Sequence, residues 1–142
     1  MTTREKFLEF LSALAQLRQV VLEEGGLVLV EGVKDRRALA RIGLPPESIV
    51  LINGGRSLLE LAEGLIERRR PVVILTDWDG KGGQLSQHLV RRLHGSGLPV
   101  DTEIRRRMAR TVRGDLVSVE GLATWAERNS ELYREPLPSE AH

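Results

Sequence analysis

The apolar positions of this chain alternate between helical spacing and short continuous runs. At the start, apolar residues in Phe7–Val21 recur every three or four positions, which predicts an amphipathic helix over the first 24 residues. Thr2 followed by Glu5 has the form of a capping box, and Gly25 offers a stop. The chain therefore opens with a helix that has one apolar face to bury.

Four later runs have the length of strands buried on both faces. They are Leu27–Val30, Ile49–Ile52, Val72–Leu75 and Leu98–Val100. Between and after them, helical spacing returns in Lys34–Ile42, Ser57–Arg69, Leu85–Leu93, a basic segment that Asp101 could cap, and Val119–Arg128. Strands that alternate with helices predict an α/β fold, Rossmann-like and compact, with a parallel sheet of about four strands flanked by helices and an extra N-terminal helix.

Length and composition add a domain plan. At 142 residues, with 41% hydrophobic and 29% charged residues, the chain has the size and balance of one globular domain. We predict an N-terminal helix at 1–25, an α/β domain at 26–129 and a loose tail at 130–142. The absence of cysteine, of a signal core and of any long apolar run predicts a cytoplasmic protein with no membrane partner. The first helix could cover its own sheet or a second copy, so a monomer and a homodimer both remain open.

The net charge of +1 does not by itself indicate a nucleic-acid partner. Arginine is favoured over lysine, and it clusters at Arg68–Arg70, Arg91–Arg92 and Arg105–Arg107. Guanidinium groups bind phosphate in a bidentate manner, but short clusters of this kind are also common on solvated helix faces. The clusters therefore permit phosphate binding without predicting it.

The residues that follow the strands carry the candidate chemistry. Glu31 follows the first strand, and Asp77 and Asp79 follow the third. The carboxyl ends of parallel strands share one edge of the sheet, and residues two apart in extended chain point the same way. Three carboxylates at one edge would repel each other unless a cation joined them, although a lone Asp after a strand can also be a helix cap. Trp78, between the two Asp residues, either packs beneath the site or stacks on a base.

An all-oxygen ligand set favours one or two Mg²⁺ ions, for which Mn²⁺ can substitute, and Mg²⁺ readily bridges to phosphate. Glycines near the strand ends would let the backbone approach a phosphate, as would the free amides of a helix that we predict to begin after Gly83. The predicted phosphate or nucleic-acid contacts are Lys34, Gly54, Gly55, Arg56, Lys81 and Gly82.

Three strings of residues resemble a known family. They are an apolar strand followed by Glu31–Asp35, a strand followed by Asn53-Gly54-Gly55, and a strand followed by Asp77–Gly82. This pattern resembles the Toprim domain of bacterial-type primases, type IA and II topoisomerases, OLD-family nucleases, recombination mediators and the ribonucleases that mature 5S ribosomal RNA. Residues 27 to 120 carry the resemblance, and it extends to a narrower group of small Toprim proteins found mainly in archaea.

The resemblance implies roles for individual residues. Glu31 would act as general acid or base and as a ligand, and Asp77 and Asp79 would hold Mg²⁺. Asp35 matches a secondary acidic position that can help to hold a second ion, and Gly54 matches a glycine after the second strand. The tyrosine-bearing domain of topoisomerases and the template-binding domains of primases do not fit in 142 residues.

Three functions are consistent with these residues. The first is a Mg²⁺-dependent nuclease or nucleotidyl-transfer protein that acts on RNA or DNA phosphodiesters, with Glu31, Asp77 and Asp79 as the catalytic residues. The second is a non-catalytic nucleic-acid-binding module of a larger RNA-processing assembly. The third is a phosphatase of the haloacid-dehalogenase class, because Asp77–Gly80 has the form of its Asp-x-Asp-Gly loop. Lys81 departs from that motif, and a downstream acidic pair is hard to find.

Overall fold

A computed structural model describes residues 1–138 and has the α/β architecture that the sequence predicts. Its six helices are α1 (Thr3–Glu24), α2 (Val33–Arg41), α3 (Leu58–Arg68), α4 (Gly80–Leu93), α5 (Glu103–Val112) and α6 (Leu122–Tyr133). Its four strands are β1 (Leu27–Val30), β2 (Ile49–Leu51), β3 (Val72–Ile74) and β4 (Val100–Asp101). Short 3-10 turns occupy Pro46–Ser48 and Val119–Gly121.

The four strands form one parallel sheet in the order β2-β1-β3-β4. Strand β1 therefore lies between β2 and β3, and Leu29 pairs with Val50 on one side and Ile74 on the other. Because β1 and β3 are neighbours, the residues that follow them emerge side by side at one edge. This adjacency is the condition on which the predicted carboxylate site depends.

Helices cover both faces of the sheet, as expected for strands that are apolar on both sides. One face, which includes Val28, Val30 and Val73, packs into a core with α1, α2, α5 and α6. The opposite face, which includes Leu29 and Ile74, packs against α3 and α4. The sheet is therefore a buried middle layer, and only its ends can carry polar chemistry.

Helix α1 covers its own domain rather than leaving an apolar face open. Phe7 and Phe10 are fully buried and lie against Trp125 of α6, with ring centroids 5.8 and 5.0 Å away. The predicted capping box is confirmed, since the Thr2 hydroxyl accepts from the Glu5 amide and the Glu5 carboxylate accepts from the Thr2 amide. Gly25 ends the helix in the left-handed conformation with φ of 70°.

Three sequence predictions are wrong at the boundaries. The fourth strand is Val100–Asp101 and overlaps the predicted Leu98–Val100 only at Val100. Residues 130–133 are not a loose tail, because α6 continues to Tyr133, whose ring lies 6.3 Å from that of Phe7. Residues 139–142 of the predicted tail lie outside the described part of the chain. Helix α4 begins at Gly80 and not after Gly83, because the Asp79 side chain caps it. Asp101 bonds the first turn of α5 as predicted, since its Oδ1 accepts from the Ile104 amide at 2.9 Å, although the N-cap position itself is Thr102. Within residues 1–138, no helix has the length and apolar character needed to cross a membrane.

Candidate functional site

Glu31 and Asp77 meet at the end of the two central strands. The Asp77 backbone N–H donates to the Glu31 carboxylate at 2.8 Å, which joins the residue after β1 to the loop after β3. The Asp77 Oδ1 accepts from the Val119 amide at 2.8 Å, and the Asp77 carboxylate also lies close enough to Glu31 for the Glu31 charge to raise its pKa. Both side chains are only partly exposed. The structure thus brings together two carboxylates that are far apart in sequence.

Asp79 is the N-cap of α4. Its Oδ1 accepts from the Gly82 amide at 2.7 Å, while the side chain itself remains exposed. Such a cap satisfies one of the free amides of the first turn and adds negative charge at the positive end of the helix. The sequence interpretation offered a cap and a metal ligand as alternatives for Asp79. The geometry shows the cap, and Asp79 Oδ2 makes no hydrogen bond within residues 1–138.

Gly82 lies directly against the Asp77 backbone. A Cβ at this position would be 1.8 Å from the Asp77 carbonyl oxygen, so the close approach of α4 to the acidic loop requires a residue without a side chain. The Thr76 hydroxyl donates to the Gly82 carbonyl at 2.7 Å, which also holds the first turn of α4 against this loop. The first turn of α4 is therefore built onto the Asp77 loop.

Arg105 is a functional candidate that the sequence analysis missed. This residue of α5 is half-buried, and its guanidinium donates to two consecutive carbonyls, Thr76 O at 2.9 Å and Asp77 O at 2.5 Å. Burial lowers the pKa of Arg105, while the charges of Asp79, Asp77 and Glu31 oppose that change. Arginine remains a cation in this setting. Arg105 is therefore a fixed positive charge beside the acidic edge, the edge of the sheet that carries Glu31, Asp77 and Asp79.

From the sequence, Arg105 belongs to the cluster Arg105–Arg107, of a kind that is common on solvated helix faces. Sequence alone does not distinguish a buried arginine from its exposed neighbours in a basic helix. The position of Arg105 was the available signal: this residue lies in the first turn after β4, and β4 ends at the same edge of the sheet as β3. A basic side chain there can reach back to the loop after β3.

Burial and repulsion act on Asp77 together. Burial raises the pKa of Asp77, and the negative charges of Glu31 and Asp79 raise it further, against the opposing hydrogen bond from Val119. The carboxylate is therefore held in a position where its charged form is disfavoured. A cation at this edge would relieve the conflict.

Asp35 lies close to the same site. Only 7% of its surface is exposed, and it accepts a 2.9 Å hydrogen bond from the Gly32 amide at the start of α2. Burial raises the pKa of Asp35, and the charges of Asp77 and Glu120 add to this effect. Asp35 thus lies near Asp77, and Glu120, from the 3-10 turn before α6, is a further acidic neighbour that the sequence did not single out.

These raised pKa values predict that the metal-free protein gains stability on mild acidification. In the folded protein the carboxyls of Asp35 and Asp77 both have a pKa above the ordinary value of 3.8, so they bind protons more tightly than in the unfolded chain. The folded state therefore binds more protons than the unfolded state as the pH falls from neutral toward that value, and the free energy of unfolding rises.

Thermal melts in chelator, from about pH 7 to about pH 5, would measure this gain. An Asp35→Asn, Asp77→Asn double variant should lose part of it, since both titrating groups are gone. Superimposable pH profiles for the double variant and the wild type would contradict the expectation.

The predicted phosphate contacts do not all gather around the acidic edge. Lys34 and Lys81 are exposed in the first turns of α2 and α4. Arg56, in the loop after β2, donates to the carbonyl of Leu51, the last residue of β2, at 3.3 Å. Gly82 is buried, and its amide already bonds Asp79.

The loop after β2 lies one strand away from the Asp77 loop. The Asn53 amide donates to the Glu31 carbonyl at 3.1 Å, which ties this loop to the residue after β1. Gly54 and Gly55 follow as exposed residues, and Gly55 has a positive φ of 84°. These glycines border the site without contacting its carboxylates.

The donor set is suited to a hard divalent cation, because it consists of carboxylate oxygens without cysteine. Within residues 1–138, however, no three acidic or imidazole side chains are already gathered as a metal-binding group. Glu31 and Asp79 instead hold backbone amides. The side chains therefore fit magnesium by chemistry, and ion binding would require these carboxylates to turn or to share their free oxygens.

Comparisons with known proteins show relatives of similar length. The chain is 42% identical over 120 residues to a UPF0292 protein of Thermococcus gammatolerans, a match that covers 83% of this chain and 84% of that protein. It is 36% identical over 126 residues to a UPF0292 protein of Archaeoglobus fulgidus, covering 89% and 96% of the two chains.

Other comparisons add only the fold. No protein-family model matches the chain. A solved structure of a putative protein from Aquifex aeolicus superposes with a TM-score of 0.61 at 21% identity, over 77% of this chain and 94% of the other. At that identity the match supports the Rossmann-like α/β architecture and nothing about chemistry. The identity and coverage of the archaeal relatives show that the chain belongs to the UPF0292 family.

Proposed function

We propose that this chain is a Toprim-like, Mg²⁺-dependent protein that acts on phosphodiester bonds of nucleic acid. The observation that carries the proposal is that Glu31 and Asp77 meet at the ends of neighbouring parallel strands. The Asp77 backbone N–H donates to the Glu31 carboxylate at 2.8 Å. Both carboxylates lie at the edge of the sheet where ligands of such folds bind. Burial raises the pKa of Asp77, the charges of Glu31 and Asp79 raise it further, and a divalent ion would neutralise this repulsion.

Each side chain has a distinct part in the proposed mechanism. Asp77 and Asp79, with Glu31 in its ionised form, would hold one or two Mg²⁺ ions, Asp35 would support a second ion, and Mn²⁺ could replace Mg²⁺. A bound ion supplies charge neutralisation at the phosphate oxygens. Glu31 moves a proton to or from the attacking or leaving oxygen. Arg105 fixes the carbonyls of Thr76 and Asp77 and so orients the loop that carries both Asp residues.

Metal binding and cleavage should both depend on Glu31. Glu31→Gln keeps an oxygen that can accept from the Asp77 amide, so the fold is retained while one negative charge is lost. We expect Mn²⁺ affinity, measured by calorimetry, to fall roughly tenfold, in line with the loss of one close charge. Cleavage of structured RNA and of single-stranded DNA in Mg²⁺ should fall further, because the proton-transfer group is also lost.

Glu63→Gln is the matched control, since Glu63 is an exposed residue of α3 on the other side of the sheet. It should bind Mn²⁺ and cleave as the wild type does. Equal Mn²⁺ affinity of Glu31→Gln and wild type would overturn the proposed metal site.

A wild-type protein that binds nucleic acid yet never cleaves it in Mg²⁺ or Mn²⁺ would favour the alternative, a binding module of an RNA-processing assembly. Hydrolysis of a generic aryl phosphate that Asp77→Asn abolishes would favour the haloacid-dehalogenase alternative instead.

A further inference from the structure

A basic groove lies between α4 and α5, next to the acidic edge. It has a volume of about 500 Å³ and is lined by residues from both helices and from the loop after β3. Four of its lining residues are arginines, and none is acidic: Arg91, Arg105, Arg106 and Arg113. A protein with a net charge of only +1 therefore concentrates positive charge along this groove.

The charges of three of these arginines are not neutralised by a buried or strong ion pair within residues 1–138. Arg91 and Arg113 are exposed and form no ion pair within residues 1–138. Arg106 pairs with Glu103 at 3.0 Å, but both side chains are more than half exposed, so the pair is weak and easily exchanged. Cations that protein carboxylates do not neutralise are free to bind a polyanion, whose condensed counterions are released in the process.

The groove continues to the acidic edge through two shared residues. Arg105 lines the groove and also bonds the Asp77 carbonyl. Trp78 lines the groove, and its indole N–H is already committed to the Leu116 carbonyl at 2.8 Å. Trp78 is partly buried against the core, and the part of its ring that lines the groove is an apolar surface of the kind on which bases stack.

We propose that this groove binds a single strand of nucleic acid, with phosphates on Arg91, Arg106 and Arg113 and a base against Trp78. The proposal rests on the proposed function, since it names the strand whose phosphodiester would reach Asp77. Stacking on a side chain requires an unpaired base, which a single strand offers and an intact duplex does not. Arg105 is excluded from the strand contacts because two of its donors hold backbone carbonyls.

The test is strand binding in chelator, so that neither metal nor cleavage takes part. Fluorescence anisotropy with labelled oligomers of about ten nucleotides, as RNA and as DNA, gives the affinity at several salt concentrations. The triple variant Arg91→Ala, Arg106→Ala, Arg113→Ala should bind on the order of 10- to 100-fold more weakly. The slope of log affinity against log salt should fall by about 2, or roughly 0.7 for each lost contact with a single strand.

Arg92→Ala is the matched control, because Arg92 is an exposed neighbour of Arg91 on the same helix but does not line the groove. It should bind as the wild type does. Trp78→Phe should reduce the quenching of tryptophan fluorescence on strand addition, since Trp125 lies in the core with 6% of its surface exposed.

The proposal is overturned if the triple variant retains wild-type affinity and salt slope, if Arg92→Ala loses as much affinity as the triple variant, or if a duplex of the same length binds and the single strands do not. Failure of the metal site would appear separately, as an absence of Mn²⁺ binding and of cleavage in a protein that still binds strands through the groove. Preference for the RNA or the DNA oligomer identifies the natural strand, and binding of both defines a backbone-directed groove.

Discussion

Asp77→Asn is expected to lower metal-dependent cleavage by roughly 10³-fold or more, because an ion that stabilises transition-state charge contributes several kcal/mol. The fold should remain, since the asparagine oxygen can still accept from the Val119 amide that Asp77 now bonds at 2.8 Å. In chelator the variant should melt at a higher temperature than the wild type at neutral pH. The reason is that burial and the charges of Glu31 and Asp79 raise the pKa of Asp77 and disfavour its ionised form.

This combination separates a functional residue from a structural one. A structural carboxylate would lose stability when it is neutralised, whereas a group held against repulsion for ion binding gains stability and loses activity. Parallel melting curves and cleavage assays of Asp77→Asn and wild type would measure both changes. Wild-type cleavage in Asp77→Asn, at equal metal concentration, would remove Asp77 from the mechanism.

Gly82→Ala is expected to destabilise the protein by about 3 kcal/mol, near the upper end of what overpacking usually costs. The added Cβ would lie 1.8 Å from the Asp77 carbonyl oxygen and 2.6 Å from its carbon, and a backbone neighbour cannot rotate aside as a side chain can. Either α4 or the Asp77 loop must move. The melting temperature should fall by roughly 10 °C, and Mn²⁺ affinity should fall with it because the acidic loop is displaced.

The chain provides a closely matched control for this change. Gly80→Ala adds the same atom two residues earlier in α4, where nothing lies within 4 Å of the new Cβ. That variant should be within about 0.5 kcal/mol of the wild type. Equal stability of the two variants would show that Gly82 does not hold α4 against the loop. Calorimetric melts of both variants decide the matter.

Periodicity along the chain was enough to predict the architecture. Three of the four apolar runs contain β1, β2 and β3, because strands buried on both faces must be apolar throughout, and the fourth run overlaps β4 only at Val100. The helical spacing between the runs marks faces that cover the sheet. Local capping signals were also sufficient: the box of Thr2 and Glu5 and the hydrogen bond from Ile104 to Asp101 depend on residues three apart, so no tertiary information was needed. Boundaries such as 130–133 were missed because Tyr133 is held by packing on Phe7, a contact between the two ends of the chain.

The acidic edge was also predicted in part from the sequence and in part only from the fold. Position after a strand was sufficient to nominate Glu31, Asp77 and Asp79, since parallel strands end at a common edge whatever their order. The sequence left a cap and a metal ligand open for Asp79, and the hydrogen bond from Gly82 shows the cap. Sequence could not show that β1 and β3 are neighbours or that Arg105 reaches the Asp77 carbonyl.

What the amino-acid sequence determined by itself was therefore the set of elements and the residues at their ends, because both depend on local patterns of burial and capping. The tertiary structure alone decided which of those ends meet. It raised the pKa of Asp77 through burial and neighbouring charges, and it made Gly82 a packing requirement. It also distinguished Arg105, bound to the acidic loop, from Arg91, Arg106 and Arg113 along the open groove. Except for the contact of Gly82 with Asp77, these features arise from distances between residues remote in sequence, which no local pattern encodes.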